Sequence, residues 1–183
     1  MCQKYAAARA SFGAGLLATA LATAIAVSLA GASVFAPRAV DELIARGADV
    51  VHAFPLLVGA LALLGGLSPI RGLPPVFGVA LAVGLFAWPG LYRLVRAEMS
   101  RWKSSDVATA ARASGARNAR VAVVHLVPLV LAPTAGPAAF LAGGALLAEA
   151  GLGFLGVGVG PPDPSWGGLL REGFDEPRAA WWL

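Results

Sequence analysis

Residues 11–36, SFGAGLLATALATAIAVSLAGASVFA, contain no Asp, Glu, Lys or Arg. A helix needs about 20 apolar residues to cross the hydrocarbon core of a bilayer, and this stretch is long enough. Residues 51–70, 72–92 and 121–148 are similar, with at most one ionisable side chain each. The sequence therefore predicts an all-α, polytopic membrane protein with about four to five spans, four of them clear from these stretches.

The composition of the whole chain supports the same fold class. Of its 183 residues, 58% are hydrophobic and 13% are charged, whereas an ordinary soluble domain carries about 25% charged residues. So few charges cannot cover the surface of a soluble globule of this size. High hydrophobicity with low charge also excludes a disordered chain. We expect one transmembrane domain over residues 1–183, in contact with membrane lipid.

The basic residues indicate how the chain is oriented. Seven of the 14 Lys and Arg residues lie between residues 93 and 120, and short loops rich in Lys and Arg face the cytoplasm. By alternation, residues 37–50 form a cytoplasmic connection and residues 149–178 form an outer segment rich in Pro and Gly. This topology explains the net charge of +4 without a nucleic acid partner, so we expect none.

The cytoplasmic loop at 93–120 contains the signals of a short helix. Ser104, Ser105 and Asp106 are N-cap residue types, and Gly115 is a typical helix stop. Between them, small or apolar residues recur at helical spacing, namely Val107, Ala110, Ala111 and Ser114. Two interpretations remain open at this point: a solvated loop, or a surface on which a soluble partner docks.

The last stretch and the segment after it contain several helix breakers. Pro128, Pro133 and Pro137 are expected to interrupt the span at 121–148, since proline lacks a backbone N–H. After Glu149, the run GLGFLGVGVGPPDPSWG predicts a turn at the outer face. Glu149 itself is expected at the outer boundary of the span, with a place on a permeation path as the alternative.

Signals for an enzyme are weak. The sequence lacks G-x-x-x-x-G-K-[ST], so it has no phosphate-binding loop of that kind for ATP. Residues 151–156 match G-x-G-x-x-G, but an apolar span precedes them and two prolines follow, which argues against a dinucleotide site. No cofactor or metal is expected in this chain. An intramembrane serine hydrolase using Ser33 or Ser165 with a histidine is the enzymatic alternative, and no G-x-S-x-G surrounds either serine.

Three motifs carry a resemblance to a known family. Residues 106–128, DVATAARASGARNARVAVVHLVP, resemble the E-A-A-x-x-x-G signature of binding-protein-dependent ABC permeases. Residues 147–173, LAEAGLGFLGVGVGPPDPSWGGLLREG, resemble the dipeptide, oligopeptide and nickel subfamily almost throughout. Residues 40–57, VDELIARGADVVHAFPLL, resemble a third element of the same subfamily. The resemblance covers nearly the whole chain and implies the type I ABC importer permease fold.

The resemblance implies a role for each region. The short helix would be the coupling helix, seated on a separate ATPase subunit that binds ATP and Mg. Its residues would be Asp106, Val107, Thr109, Ala110, Ala111, Arg112, Gly115 and, further on, Pro128. The outer segment would face an extracytoplasmic substrate-binding protein, through Glu149, Pro161, Pro162, Pro164, Ser165, Trp166 and Gly167.

The resemblance also implies an assembly. A second permease subunit, giving a heterodimer, and two ATPase subunits would complete an importer of peptides or related small solutes in the cytoplasmic (inner) membrane. Thr109 stands where the family has Glu, which removes a charge that could pair with the ATPase or with Arg112 or Arg117. Family members usually have six spans, more than this sequence predicts. A non-transporting scaffold derived from such a permease is therefore the alternative function.

Overall fold

The computed structural model describes residues 2–67, 74–160 and 163–176. All regular secondary structure in these ranges is helical, as the apolar stretches predict. The helices are α1 (Cys2–Phe35), α2 (Arg38–Ala53), α3 (Leu56–Leu67), α4 (Pro75–Lys103), α5 (Asp106–Ala113), α6 (Asn118–Arg120), α7 (Val127–Phe154) and α8 (Trp166–Asp175), with a π-helical turn at Val121–Leu126 between α6 and α7.

Three helices are long and apolar enough to cross a membrane. They cover Gln3–Phe35, Pro75–Lys103 and Asn118–Phe154. The shortest of them has 29 residues, which at 1.5 Å per residue gives about 44 Å. The hydrocarbon core of a bilayer is about 30 Å thick. The chain is therefore an integral, multi-pass membrane protein.

The expectation of a continuous span over residues 51–70 is corrected by a helix break at Phe54 and Pro55. Proline disfavours the α conformation of the residue before it. The Pro55 carbonyl accepts the N–H of Gly59 at 3.0 Å, which opens α3. The described part of α3 has 12 residues, which correspond to about 18 Å of helix. The described residues thus contain three spans, or four if α2 and α3 together count as one broken span.

The two stretches predicted as cytoplasmic connections are largely helical. α4 runs without a break through residues 93–103, because the next helix-ending signal is the serine pair Ser104 and Ser105. Most of the connection at 37–50 lies in α2, which begins after Pro37. The Pro37 carbonyl accepts the N–H of Val40 at 2.9 Å. Proline before a first helical turn is favourable because its fixed φ suits the helix.

The chain divides into two compact units, which are described separately. Unit 1 comprises Met1–Leu21, Phe54–Ala87 and Leu141–Leu183. Its buried core is made chiefly of small side chains: Ala14, Ala18, Ala60, Val79, Ala80, Ala82, Val83, Ala145, Ala148, Leu152 and Val159. Small residues let helix backbones approach closely, which is the main source of helix association in lipid.

Unit 2 comprises Ala22–Ala53 and Trp88–Phe140. One of its cores forms where Ala108, Val121 and Leu126 are buried together. Phe35 and Trp102 pack against this cluster and are partly buried. The larger buried side chains of this unit also include Tyr92, Met99 and Val95.

The prolines of the last span do not interrupt it as expected. Pro133 and Pro137 lie inside α7, which remains continuous. The turn that changes is the one directly before Pro128, where the Val127 N–H donates to the carbonyl of Ala122 in π-helical geometry. A proline ring clashes with the carbonyl four residues earlier in an α-helix, and the wider π turn avoids that clash.

Close packing in unit 1 leads to a test at Gly84 in α4. A Cβ placed on Gly84 would lie 2.9 Å from a Leu21 methyl carbon and 3.0 Å from the Ala18 carbonyl oxygen. Overpacking of this kind costs about 1–3 kcal/mol, so Gly84→Ala should lower the melting temperature of the purified protein by several degrees, about 2–4 °C per kcal/mol.

Gly90→Ala is the matched control on the same helix, because no atom lies within 4 Å of a Cβ at Gly90. Its melting temperature should stay equal to that of the parent or rise, since Ala is a better helix former than Gly. The melting temperatures are measured by tryptophan fluorescence. Equal values for Gly84→Ala and Gly90→Ala would contradict the packing of α4 against α1 in unit 1.

Candidate functional site

The short helix α5 begins at a hydrogen-bonded cap, which confirms the helix predicted there. Ser105 has an extended backbone, and its Oγ accepts the Ala108 N–H at 3.4 Å. Asp106 lies in the first turn and Arg112 in the last. A carboxylate at the N-terminus and a cation at the C-terminus both complement the helix dipole.

Gly115 ends α5 in the way its residue type predicts. Its φ of +83° lies in the left-handed region, which costs a residue with a Cβ about 1–2 kcal/mol. The Gly115 N–H donates to Arg112 O at 2.9 Å and the Ala116 N–H donates to Ala111 O at 3.1 Å. This pair of hydrogen bonds defines a Schellman motif. Both ends of α5 are therefore set by local residues.

The face of α5 predicted from its spacing is largely exposed. Val107 is 45% exposed, and Ala110 and Ser114 are exposed beside it, while Ala111 is half-buried. Three of the four residues of the predicted face therefore reach the surface of unit 2. With only one branched side chain among them, they form a low, smooth surface that another protein can approach closely.

The opposite side of α5 is anchored in unit 2. Ala108 is fully buried and packs with Val121 and Leu126 of the π-helical turn. Phe35 from the end of α1 and Trp102 from the end of α4 pack against the same cluster. A displacement of α5 would therefore act directly on the ends of these helices within unit 2.

Thr109, which stands where the family has Glu, makes a neutral contact. Arg112 donates to the Thr109 hydroxyl at 3.4 Å and to the Lys103 carbonyl at 3.0 Å. The Thr109 hydroxyl thus accepts a hydrogen bond from Arg112 where a Glu carboxylate at this position could form an ion pair with it. Thr109 is exposed, so it remains available to a partner as an uncharged group.

A polar cluster in unit 2 connects α1, α2 and α4, and the sequence reasoning did not find it. The Asp41 carboxylate accepts two hydrogen bonds from the Arg96 guanidinium, and the bond from Arg96 Nε is 2.8 Å long. It accepts a third hydrogen bond from the Ser33 hydroxyl. The Ser33 hydroxyl also lies 3.1 Å from the Tyr92 hydroxyl. Arg96 is 55 positions from Asp41 and 63 positions from Ser33 along the chain. No local sequence pattern therefore predicts this pairing.

Further contacts strengthen the connection between these helices of unit 2. Arg93 on α4 pairs with Asp49 on α2 at 2.7 Å. At the end of α4, the Lys103 ammonium donates to the Val34 carbonyl at 2.6 Å and lies over the Phe35 ring at 5.3 Å. The α2 helix and the end of α1 are therefore bound to the half of α4 that leads into α5.

The Asp41 carboxyl is electrostatically perturbed by this cluster. Asp41 lies in the charged helix α2, outside the three long apolar helices. Hydrogen bonds from Arg96 first, and from Ser33 second, hold the pKa of Asp41 below its ordinary value of 3.8, because they favour the charged form. The carboxylate is thus stabilised in its ionised state.

The predicted outer segment, in unit 1, contains a turn followed by a helix. α7 ends at Phe154, and Gly156, with a φ of +79°, follows it. The Val157 N–H donates to Leu152 O at 3.0 Å, so the turn predicted for this glycine-rich run is present. α8 then begins at a capped end, where Ser165 Oγ accepts the Gly168 N–H at 3.1 Å.

Glu149, expected at the outer boundary of the span with a permeation path as the alternative, is fully buried inside α7. Neither of its carboxylate oxygens has a hydrogen-bond partner among the described residues. Its position follows from helical geometry: Ala145, Ala148 and Leu152 are core residues of unit 1 on the same helix. Within unit 1, Glu149 is therefore a core residue and does not form part of an exposed surface.

The other residues predicted to face a binding protein have mixed environments. Ser165 and Gly167 are buried, whereas Pro164 and Trp166 are half-buried. The backbone N–H of Trp166 donates to Ser11 Oγ at 3.0 Å, and the Trp166 ring packs edge-on against the Phe12 ring, with 5.2 Å between centroids. Pro161 and Pro162 lie outside the described residues. The exposed surface of α8 is formed by other side chains: Leu170, Arg171, Glu172, Phe174 and Asp175.

The two serines of the hydrolase alternative are engaged in structural hydrogen bonds. Ser33 bonds to Asp41, Arg96 and Tyr92, and Ser165 Oγ donates to Val159 O at 2.8 Å. Among the described residues, neither serine hydrogen-bonds to a histidine. The arrangement therefore lacks the nucleophile and base contact that such an enzyme needs.

The helical spans, the capped helix with an exposed small-residue face and the glycine-rich turn agree with the class that the three motifs imply, a membrane component of a transport system. A family model of the binding-protein-dependent transport system inner membrane component matches residues 14–182. The chain belongs to this family, and the class inferred from its three motifs is confirmed. The family name describes a membrane component of a transport system, in agreement with the expectation that the chain is a transport subunit.

Several curated relatives of the chain are named as peptide transport permeases. It is 34% identical over 149 residues to the di/tripeptide transport system permease protein DppC of Pseudomonas aeruginosa strain UCBPP-PA14, which covers 81% of this chain and 48% of the relative. It is also 34% identical over 141 residues to the dipeptide transport system permease protein DppC of Escherichia coli strain K12, covering 77% and 45%. The chain spans about half the length of the curated relatives it matches.

The polar cluster predicts a pH-dependent contribution to stability. Because the folded-state pKa of Asp41 is lowered, its ionised form stabilises the fold above about pH 4, and this stabilisation is lost as pH falls through the folded-state pKa. Asp41→Asn should lower the melting temperature by roughly 5 °C at neutral pH, given the usual strength of charged hydrogen bonds. The difference from the parent should shrink below about pH 4.

Glu42→Gln is the control, because Glu42 makes an exposed pair with Arg38 on the same helix and exposed pairs contribute little. Its melting temperature should follow that of the parent at each pH. A difference between Asp41→Asn and the parent that stays constant from neutral to acidic pH would show that the carboxylate charge is not what stabilises the cluster.

The cap of α5 predicts a local effect of Gly115→Ala. A left-handed φ costs a residue with a Cβ about 1–2 kcal/mol, so protection of the α5 amides from hydrogen exchange should fall about tenfold. Gly47→Ala is the control, because Gly47 is also free of atoms within 4 Å of a Cβ and has no positive φ. Equal protection of α5 in both variants would contradict the cap.

Proposed function

We propose that this chain is a permease subunit of an ATP-driven importer, with α5 as the helix through which a separate ATPase subunit acts. The observation that carries the proposal is the exposed face of Val107, Ala110 and Ser114 on a helix capped at both ends. A partner that pushes on this face meets a helix that keeps its shape. The family to which the chain belongs supports the same role.

The environment of α5 suits the transmission of a movement. Its buried side rests on Val121 and Leu126, at the start of the last described span, and on Phe35 and Trp102. The ion pairs from α4 to Asp41 and Asp49 extend the same rigid assembly to α2. Closure of an ATPase against α5 would therefore move several helix ends of unit 2 together, as alternating access requires.

The partners follow from the division of work in such an importer. Two ATPase subunits would bind ATP and Mg, while a second permease subunit would complete the path through the cytoplasmic (inner) membrane. A substrate-binding protein would deliver the solute to the outer side, where α8 exposes Leu170, Arg171 and Phe174. In this arrangement α5 lies on the cytoplasmic side, which agrees with the seven basic residues between 93 and 120.

Peptides are the substrate class that we propose. The relatives from Pseudomonas aeruginosa and Escherichia coli are named for transport of di- and tripeptides and of dipeptides. The test uses a strain without its own peptide permease, which expresses this chain together with the ATPase and permease subunits encoded beside it in the genome. Uptake of a labelled dipeptide by this strain would support peptides as the substrate class. Absence of uptake with the complete set would favour the non-transporting scaffold instead.

The docking face is tested by Ala110→Arg. A long cationic side chain at the centre of this face would prevent close approach of the ATPase. Recovery of the ATPase with the tagged permease should fall about tenfold, which corresponds to a loss of about 1.4 kcal/mol. Recovery is measured by quantitative affinity purification from cells that express both subunits.

Ala39→Arg is the matched control, since Ala39 is an exposed alanine on α2 and the substitution is the same. It should leave ATPase recovery within about twofold of the parent. Unchanged recovery with Ala110→Arg would exclude α5 as the contact, provided that the melting temperatures of both variants match that of the parent.

A further inference from the structure

A cavity of about 490 Å³ lies beside the C-terminal end of α5 in unit 2. The end of α5 and the Schellman turn form one of its sides, through Ser114 and Gly115. The other side carries three side chains that can bind an anion, Arg117, Arg120 and His125. None of the residues that line this cavity is acidic.

The two arginines of this cavity differ from other arginines of the same cytoplasmic region. Arg93 and Arg96 pair with aspartates on α2, and Arg101 pairs with Glu98 at 2.7 Å. Within residues 2–67, 74–160 and 163–176, Arg117 and Arg120 have neither an ion pair nor a hydrogen bond from their side chains. Two unpaired guanidinium groups at one cavity create a local positive potential that attracts anions.

The surroundings of the cavity indicate which anion it suits. Arg120 directly precedes Val121, where the apolar part of the last described span begins. On the same helix, Val123 is 66% exposed and Val124 is 53% exposed. The basic side chains that could bind an anion are therefore followed, within one helical turn, by an exposed apolar surface.

We propose that this cavity binds the phosphate of an anionic phospholipid from the membrane leaflet that borders α6. Arginine can hold a phosphate through two parallel hydrogen bonds, and His125 can add a ring N–H. The acyl chains would lie along Val123 and Val124. Basic cavities at the ends of spanning helices are suited to lipid headgroups in this way.

An acidic side chain of a protein partner would meet the same arginines but would have no use for the adjoining apolar surface. The lipid is favoured because it satisfies both features. The proposal rests on the membrane-spanning character of the chain and does not require that an ATPase dock on α5. A bound lipid would lie next to Ser114, at the edge of the exposed α5 face, so lipid composition could influence that face.

The test uses the purified 183-residue chain in detergent and native mass spectrometry with added lipids. Dioleoyl phosphatidylglycerol should bind at least about tenfold more tightly than dioleoyl phosphatidylcholine, which has the same acyl chains, because each basic residue contributes roughly 1 kcal/mol to an anionic headgroup. Arg117→Ala combined with Arg120→Ala should reduce this preference to about twofold or less. Arg38→Ala combined with Arg46→Ala, which removes the same charge from α2, should leave it unchanged.

Three results would overturn the proposal. One is an equal loss of preference in both double variants, which would mean that only net charge matters. Another is complete displacement of phosphatidylglycerol by millimolar inorganic phosphate, which would identify the free ion as the ligand. The third is unchanged lipid preference in the Arg117 and Arg120 variant together with weaker recovery of the ATPase, which would assign the arginines to a protein contact.

Discussion

The need to satisfy backbone hydrogen bonds without water governs most of this structure. In the hydrocarbon core an unpaired N–H or C=O costs several kcal/mol, so each spanning segment must supply its own partners as a helix. Charged side chains are then favoured at helix ends or in pairs. Arg96 illustrates the second solution, because its guanidinium meets the Asp41 carboxylate and the Ser33 hydroxyl within unit 2. That cluster holds α1, α2 and α4 in the arrangement from which α5 extends.

The exposed helix α5 combines two properties. Its ends are set by local hydrogen bonds at Ser105 and Gly115, so its shape does not depend on a partner. Its buried side, at Ala108, packs against residues from neighbouring helices of unit 2. A helix of eight residues would be unstable alone in water, and here the caps and this packing stabilise it. Those features let it present a firm surface for docking.

Small residues have a different role in unit 1. Gly153 and Gly167 lie so close that a Cβ on Gly153 would be 3.0 Å from the Gly167 Cα. This contact brings the end of α7 against the start of α8. Glu149 lies four residues before Gly153 and is fully buried. A buried carboxylate without a partner is costly in free energy. The packing around Glu149 does not explain why this position has a carboxylate and not an apolar side chain.

The sequence by itself determined the features that depend on neighbouring residues: the apolar stretches, the caps of α5, the left-handed turn at Gly115 and the family motifs. These could be predicted because hydrophobicity, capping and glycine conformation act within a few positions of the chain. Only the tertiary structure decided that Asp41 meets Arg96, that Glu149 points into a core, and that Arg117 and Arg120 share a cavity without an acidic partner. The helix break at Pro55 was missed because hydropathy measures burial in lipid and is insensitive to a single proline. Contacts between residues more than 50 positions apart depend on how helices pack, and small side chains such as Ala and Gly allow many packings that the sequence alone does not distinguish.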